Sequence, residues 1–302
     1  MNYYIDKIKE SVRFAWKYKF LWVFGFLIAA FGGNGYSGNT NFGSPGDLES
    51  TNGSGDDFAN DVDELFSNPT FWIVMAVLLC LVFVISFIGW YLLSLSKGAL
   101  TEAVRKDKAS QDMSFKSSWR DGRKHALDIM ILDLVGLFIN ITVLVPLIAV
   151  VILAAMIPPV FILFCCLVPF YILYFIGWMI VYTVAHRYLV LNNAGAWESI
   201  KVGFKVLKER VLNFVLAGLV SLIPGCLWAI LAMVIVIVPT LLLMLVGLGI
   251  LFVNPIAGII ALAFAILVAI VLGALVNSPY QVFSYAYWTK IVMDLLDDKA
   301  PR

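Results

Sequence analysis

Residues 118–156 read SWRDGRKHALDIMILDLVGLFINITVLVPLIAVVILAAM. A short basic and aromatic stretch carrying Arg120, Arg123 and Lys124 leads directly into a run that is apolar from Ala126 to Met156, apart from Asp128, Asp133, Asn140 and Thr142. A bilayer's hydrocarbon core is crossed by about 20 apolar residues rising about 1.5 Å each. This stretch therefore reads as a membrane span entered from a basic edge. Working outward, comparable runs fall at 17–33, 70–95, 158–185, 211–250 and 256–289, which makes six spans. The first is short, with an unbroken apolar core only from Phe20 to Phe31, and needs the stems of Lys17 and Lys19 to reach out of the apolar layer. The run at 211–250 is overlong and holds Pro224 and Pro239, so it reads either as one bent helix or as a helix with a re-entrant or second crossing. Pro158-Pro159 marks a tight hairpin, because proline cannot continue the helical hydrogen-bond ladder.

Composition agrees. Of 302 residues, 62% are hydrophobic and 14% charged, against roughly 45–50% and roughly 25% in a soluble domain. A free soluble enzyme, a nucleic-acid-binding domain and a small secreted scaffold are excluded. The fold class expected is an all-α polytopic membrane helix bundle with about six transmembrane helices.

Charge sets the orientation. The N-terminus, 96–125, 186–210 and the C-terminal tail hold five, eight, five and three Lys/Arg, which is all 21 in the chain. Positive loops stay cytoplasmic, so both termini are expected inside a cytoplasmic (inner or plasma) membrane. The opposite loop, 34–69, carries Asp47, Glu49, Asp56, Asp57, Asp61, Asp63 and Glu64 among many Gly, Ser and Asn, with no basic residue. Such a segment cannot bury enough apolar surface to order itself. Its acidic residues lack the alternating register of a calcium loop, and the spacing of Phe58, Val62, Leu65 and Phe66 suits a short surface helix before the second span. The sequon Asn52-Gly53-Ser54 also falls there.

A seven-residue pattern, Ser-x-(Lys/Arg)-x-(Ala/Gly)-x-Lys, occurs three times before a span. It comprises Ser11, Arg13, Ala15, Lys17; Ser118, Arg120, Gly122, Lys124; and Ser199, Lys201, Gly203, Lys205. Apolar or small residues follow helical spacing around each copy: Tyr4, Ile8, Val12, Ala15; Phe115, Trp119, Gly122, Ala126; and Trp197, Ile200, Phe204, Leu207. Three amphipathic helices at the cytoplasmic interface are expected, each leading into a crossing and a return. The chain then divides into unit 1 (1–95), unit 2 (96–185), unit 3 (186–292) and a tail (293–302), all in one membrane domain, as in parallel-repeat membrane folds. Because two copies are internal, the first is read as structure and not as a cleaved signal peptide. Arg13, Lys17, Arg120, Arg123, Lys124, Lys201, Lys205 and Lys208 are the expected contacts to anionic lipid headgroups, each contributing about 1 kcal/mol near an anionic leaflet.

Polar residues inside spans are costly and mark either a cavity or a structural partner. Asp133 and Asn140, seven residues apart on one helix face, are the first candidates for an intramembrane polar site. Asn277 and Gln281, flanking Pro279 in the last span, are the second, where proline would break the helix and free backbone carbonyls. Asp128 lies near the basic edge, and no Lys or Arg is expected deep enough to pair with Asp133. Cys80, Cys165, Cys166 and Cys226 lie in apolar runs without metal spacing and read as packing residues. His125 and His186 sit beside basic residues and read as solvated interface groups. No metal site, cofactor site or catalytic constellation is apparent.

The run AHRYLVLNNAGAWESIKVGFKVLKERVLNFVLAGL (185–219), with the opening VRFAWKYKFLWVFGFLIA (12–29) and the closing SPYQVFSYAYWTKIVMDLL (278–296), resembles the membrane domain associated with some bacterial glycerophosphoryl diester phosphodiesterases and related six-span proteins. That family's chemistry resides in a separate soluble barrel, for which this chain has no room, so the resemblance implies a bacterial membrane protein and carries over no catalytic residue. The expected function is that of a non-enzymatic integral membrane protein organising lipids or partner proteins, or copies of itself, at the cytoplasmic face. The alternative is a transporter or permease for a small or lipidic solute, using Asp133 and the Asn277–Gln281 break.

Overall fold

The computed structural model describes residues 2–32, 69–156 and 160–297. Every element among them is helical: α1 (Asn2–Lys17), a 3-10 turn (Lys19–Leu21), α2 (Trp22–Phe31), α3 (Pro69–Lys108), α4 (Phe115–Met156), α5 (Val160–Asn192), α6 (Ala196–Val253) and α7 (Pro255–Leu296). Helices α3 to α7 are long and apolar enough to cross a membrane, and α1–α2 gives a sixth if that bent pair is one span. The chain is an all-α, multi-pass integral membrane protein. The expected acidic loop up to residue 68, with its sequon and surface helix, and the Pro158-Pro159 hairpin lie outside the described residues.

The segments between spans are helical where loops were expected. Helix α3 runs on through Lys97 to Lys108, and α5 runs on through His186 to Asn192. Each ends on a left-handed residue, Ser110 (φ 53°) and Asn193 (φ 50°). Around it the chain folds back, with Gln111 N–H donating to the Lys106 carbonyl (3.0 Å) and Ala194 N–H to the Leu189 carbonyl (3.2 Å). This wrap satisfies carbonyls that the helix end would otherwise leave unpaired. Ser114 then caps α4 by accepting from Ser117 N–H at 3.3 Å. The second and third basic stretches thus return antiparallel along the helix before them.

The three copies of the pattern differ in how they join their spans. Helix α1 meets α2 at 87°. The second copy is the opening of the continuous helix α4. The third opens α6 and is separated from its span by a kink at Arg210 (φ −135°, ψ 22°). In all three, the serine and the small residue face inward while the two basic residues face out. Ser11, Ser118 and Ser199 are buried, and the hydroxyls of Ser11 and Ser199 donate to the carbonyls four residues back, at 2.7 and 2.8 Å. Gly122 lies against the Leu95 carbonyl and Gly203 against that of Val181, so closely that a Cβ at 203 would stand 2.6 Å from the oxygen. Val12, Phe115, Trp197 and Phe204, on the apolar sides of these helices, are exposed. The helices pack through their small residues, which allow backbones to approach.

The overlong fifth run is one helix. Apart from the Arg210 kink, α6 continues through Pro224 and Pro239 to Val253, and α7 starts after one residue, Asn254, whose side chain accepts from Ala257 N–H at 3.2 Å. From Val211 to Val253 the apolar part of α6 measures about 65 Å, against a hydrocarbon core of about 30 Å. By contrast α2 has ten residues, about 15 Å.

Sequential neighbours from α3 to α7 pack side by side, and α1 and α2 close the ring by seating against α7, with α2 also against α3. Burial is concentrated at the end carrying the basic residues. Leu21, Phe24, Leu95, Leu100, Val184, Val282 and Tyr287 form the main core there, while Trp72 to Ile88 on α3 are exposed around the full circumference. Cys80 and Cys226, expected as packing residues, are on this apolar exterior.

Candidate functional site

Helices α2, α3, α4, α5 and α7 line a half-open cavity of about 630 Å³. Asp133, Asn140 and Gln281, three of the four intramembrane candidates, line it together. Asn277 does not. Its side-chain amide donates to the Gly273 carbonyl one turn back, at 2.8 Å, and α7 passes Pro279 as a continuous helix, so the expected break is absent. Asn140 likewise donates to the Gly136 carbonyl at 2.8 Å.

Asp133 is tied to two other helices. From α3, Lys97 Nζ donates to Oδ2 at 3.1 Å and Trp90 Nε1 donates to the same oxygen at 3.3 Å. From α5, the Tyr182 hydroxyl donates to Oδ1 and His186 Nε2 lies 2.6 Å from it. An ionised carboxylate only accepts, so against an ionised Asp133 the His186 ring would donate from Nε2. Asp133, Lys97 and His186 are all largely buried, with side chains 11%, 13% and 9% exposed. A buried charge is tolerated when it is paired and hydrogen-bonded, and this carboxylate has four donors.

Two expectations are overturned here. His186 is a buried partner of Asp133 and not a solvated interface group, and His125 is buried too. A lysine does reach Asp133, because α3 remains helical past its apolar run and brings Lys97 level with it. One signal in the sequence could have revealed both groups. Lys97 is followed by Gly-Ala-Leu-Thr before the next charge, and His186-Arg187 by Tyr-Leu-Val-Leu, so each lies within an apolar helix and needs a partner.

The rest of the cavity lining is mixed. Arg187 donates to the Thr183 carbonyl at 2.8 Å and its guanidinium stands 5.3 Å from the Tyr285 ring centre. Ser284 and Gln281 add further polar groups to the lining. Leu137, Phe175, Trp178 and Met179 are apolar lining residues. Two basic side chains, Lys97 and Arg187, and a single carboxylate are in the lining. Such a space suits a molecule with a polar or anionic head and an apolar tail.

All eight basic residues expected at the headgroup level are exposed: Arg13, Lys17, Arg120, Arg123, Lys124, Lys201, Lys205 and Lys208. Near them on α1, burial and the hydrogen bond to Asp294 raise the Tyr3 phenol above its ordinary pKa. For Lys7, burial alone would lower the pKa, but the Asp294 carboxylate 2.9 Å away outweighs it and the net direction is upward. Among the described residues no group of three or more His, Cys, Asp or Glu is arranged to hold a metal ion. Comparison with protein-family models, curated proteins and solved structures finds no match to this chain.

Proposed function

We propose that this membrane protein is non-enzymatic and binds lipid, taking a lipidic solute with a polar or anionic head into the ring cavity while its exposed basic residues engage anionic headgroups. The single observation that carries this reading is the mixed lining of the cavity, which brings Lys97, Arg187, Ser284 and Gln281 together with apolar groups such as Leu137, Phe175, Trp178 and Met179. In this reading the basic end faces the cytoplasm, supported by the confinement of every Lys and Arg to one set of segments. Asp133 has its carboxylate saturated by donors, so it positions Lys97 and His186 and does not itself hold cargo.

The test is to purify the full chain in mild detergent and identify co-purifying lipid by mass spectrometry. Ser284→Trp fills part of the cavity from its lining, and Gln281→Leu removes a hydrogen-bonding group. Both should lower the amount of tightly held lipid while the protein stays folded. An unchanged lipid complement in Ser284→Trp would refute the proposal.

A further inference from the structure

A second pocket, of about 290 Å³, lies at the basic end between α1, α3 and α7, apart from the ring cavity. Five cations line it: Lys7, Arg13, Lys17, Lys108 and Lys290. Three carboxylates face them, Glu10, Asp107 and Asp294, which leaves a formal excess of two positive charges.

The pairing is uneven. Asp294 is the saturated member, accepting from Tyr3 at 2.9 Å and pairing with Lys7 at 2.9 Å and Lys108 at 3.5 Å. The other three pairs are loose: Lys17 to Asp107 and Lys290 to Glu10, each at 3.6 Å, and Lys7 to Glu10 at 3.5 Å. An N⁺–H···O⁻ bond at full strength is about 2.7–2.9 Å, so these lysines can turn to another anion. Arg13 makes no ion pair with a carboxylate among the described residues, and its five donors are free to grip one. Phe14, Val104 and Met293 provide an apolar floor, with the Lys290 ammonium 5.9 Å from the Phe14 ring centre.

We propose that this pocket binds a phosphate monoester dianion, gripped by Arg13, Lys17 and Lys290. Its charge of roughly −1.5 to −2 at neutral pH matches the excess, and its three terminal oxygens can accept from three different cations at once. A phosphodiester carries one charge and fewer free oxygens, so it is the weaker ligand. The same chemistry is offered by the head of phosphatidic acid and by inorganic phosphate in solution.

The experiment uses the full chain in nanodiscs of zwitterionic lipid alone, or doped with equal amounts of phosphatidic acid or phosphatidylglycerol, and zwitterionic discs titrated with inorganic phosphate. Thermal stability and native mass spectrometry report binding. Phosphatidic acid should bind and stabilise the wild type more than phosphatidylglycerol. Arg13→Gln, which breaks no ion pair, and Arg13→Gln/Lys17→Gln should weaken that binding roughly tenfold or more. Competition by inorganic phosphate would identify the monoester alone as sufficient. Binding of phosphatidic acid without such competition would identify a lipid source anchored by its tails. Equal binding of the two anionic lipids, or equal binding by wild type and both variants, overturns the proposal. Ser284→Trp, which blocks the ring cavity, should leave this site intact, so failure here and failure of the cavity reading are separable.

Discussion

With leucine in place of Asp133, Lys97 and His186 would face each other in apolar surroundings with no counter-charge. Breaking a buried pair from one side costs about 3–5 kcal/mol, whereas replacing both partners by apolar groups is often neutral. Asp133→Leu is therefore expected to unfold at clearly lower temperature in detergent, and Asp133→Leu/Lys97→Met to recover a large part of the loss. Unfolding curves of the two variants and the wild type check this, and an unshifted Asp133→Leu would mean the network is not structural. Asp133, Asn140 and Gln281 could be picked out from the sequence because polar groups inside apolar runs are conspicuous. Lys97 and His186 could not be assigned as readily. Their place on the chain is next to basic edges, and only the continued helicity of α3 and α5 brings them level with Asp133.

The repeated pattern of serine, small residue and two basic residues acquires its physical meaning at the level of the helix. Positions i and i+4 share one face and i+2 and i+6 the other, so one face can approach a neighbouring backbone while the other presents charge. At Gly203 a methyl group would press on the Val181 carbonyl (2.6 Å) and side chain (2.9 Å). Gly203→Ala should thus lose about 1–3 kcal/mol through overpacking. Gly249→Ala, in the same helix with nothing within 4 Å, should gain about 0.5–1 kcal/mol from helix propensity. Opposite shifts in thermal stability are the expected outcome, and a matching loss at both sites would show that α6 tolerates no alanine for other reasons. Apolar periodicity made the long helices legible from sequence. It left open whether protein or lipid covers an apolar face: Gly122 and Gly203 turn to the protein, while Phe115, Trp197 and Phe204 are exposed.

Over the whole molecule, packing and charge both collect at one end. With the basic end in the cytoplasm, a cysteine at Val253, beside the α6–α7 turn, should react with a membrane-impermeant maleimide in intact cells, whereas a cysteine at Lys201 should react only after permeabilisation. Both are to be placed in a chain whose native cysteines are replaced by alanine, and the reverse pattern would refute the orientation. The α6–α7 hairpin carries a further consequence. An apolar post of about 65 Å cannot be fitted into a core of about 30 Å by tilting within the usual range of about 0–40°. Around it the surrounding lipid must stretch, or the tip must stand clear of the acyl chains, where Phe252 and Val253 are 90% and 87% exposed. Either way the elastic energy of the bilayer becomes part of the protein's own free energy, and acyl-chain length acts on it as temperature or denaturant would on a soluble domain.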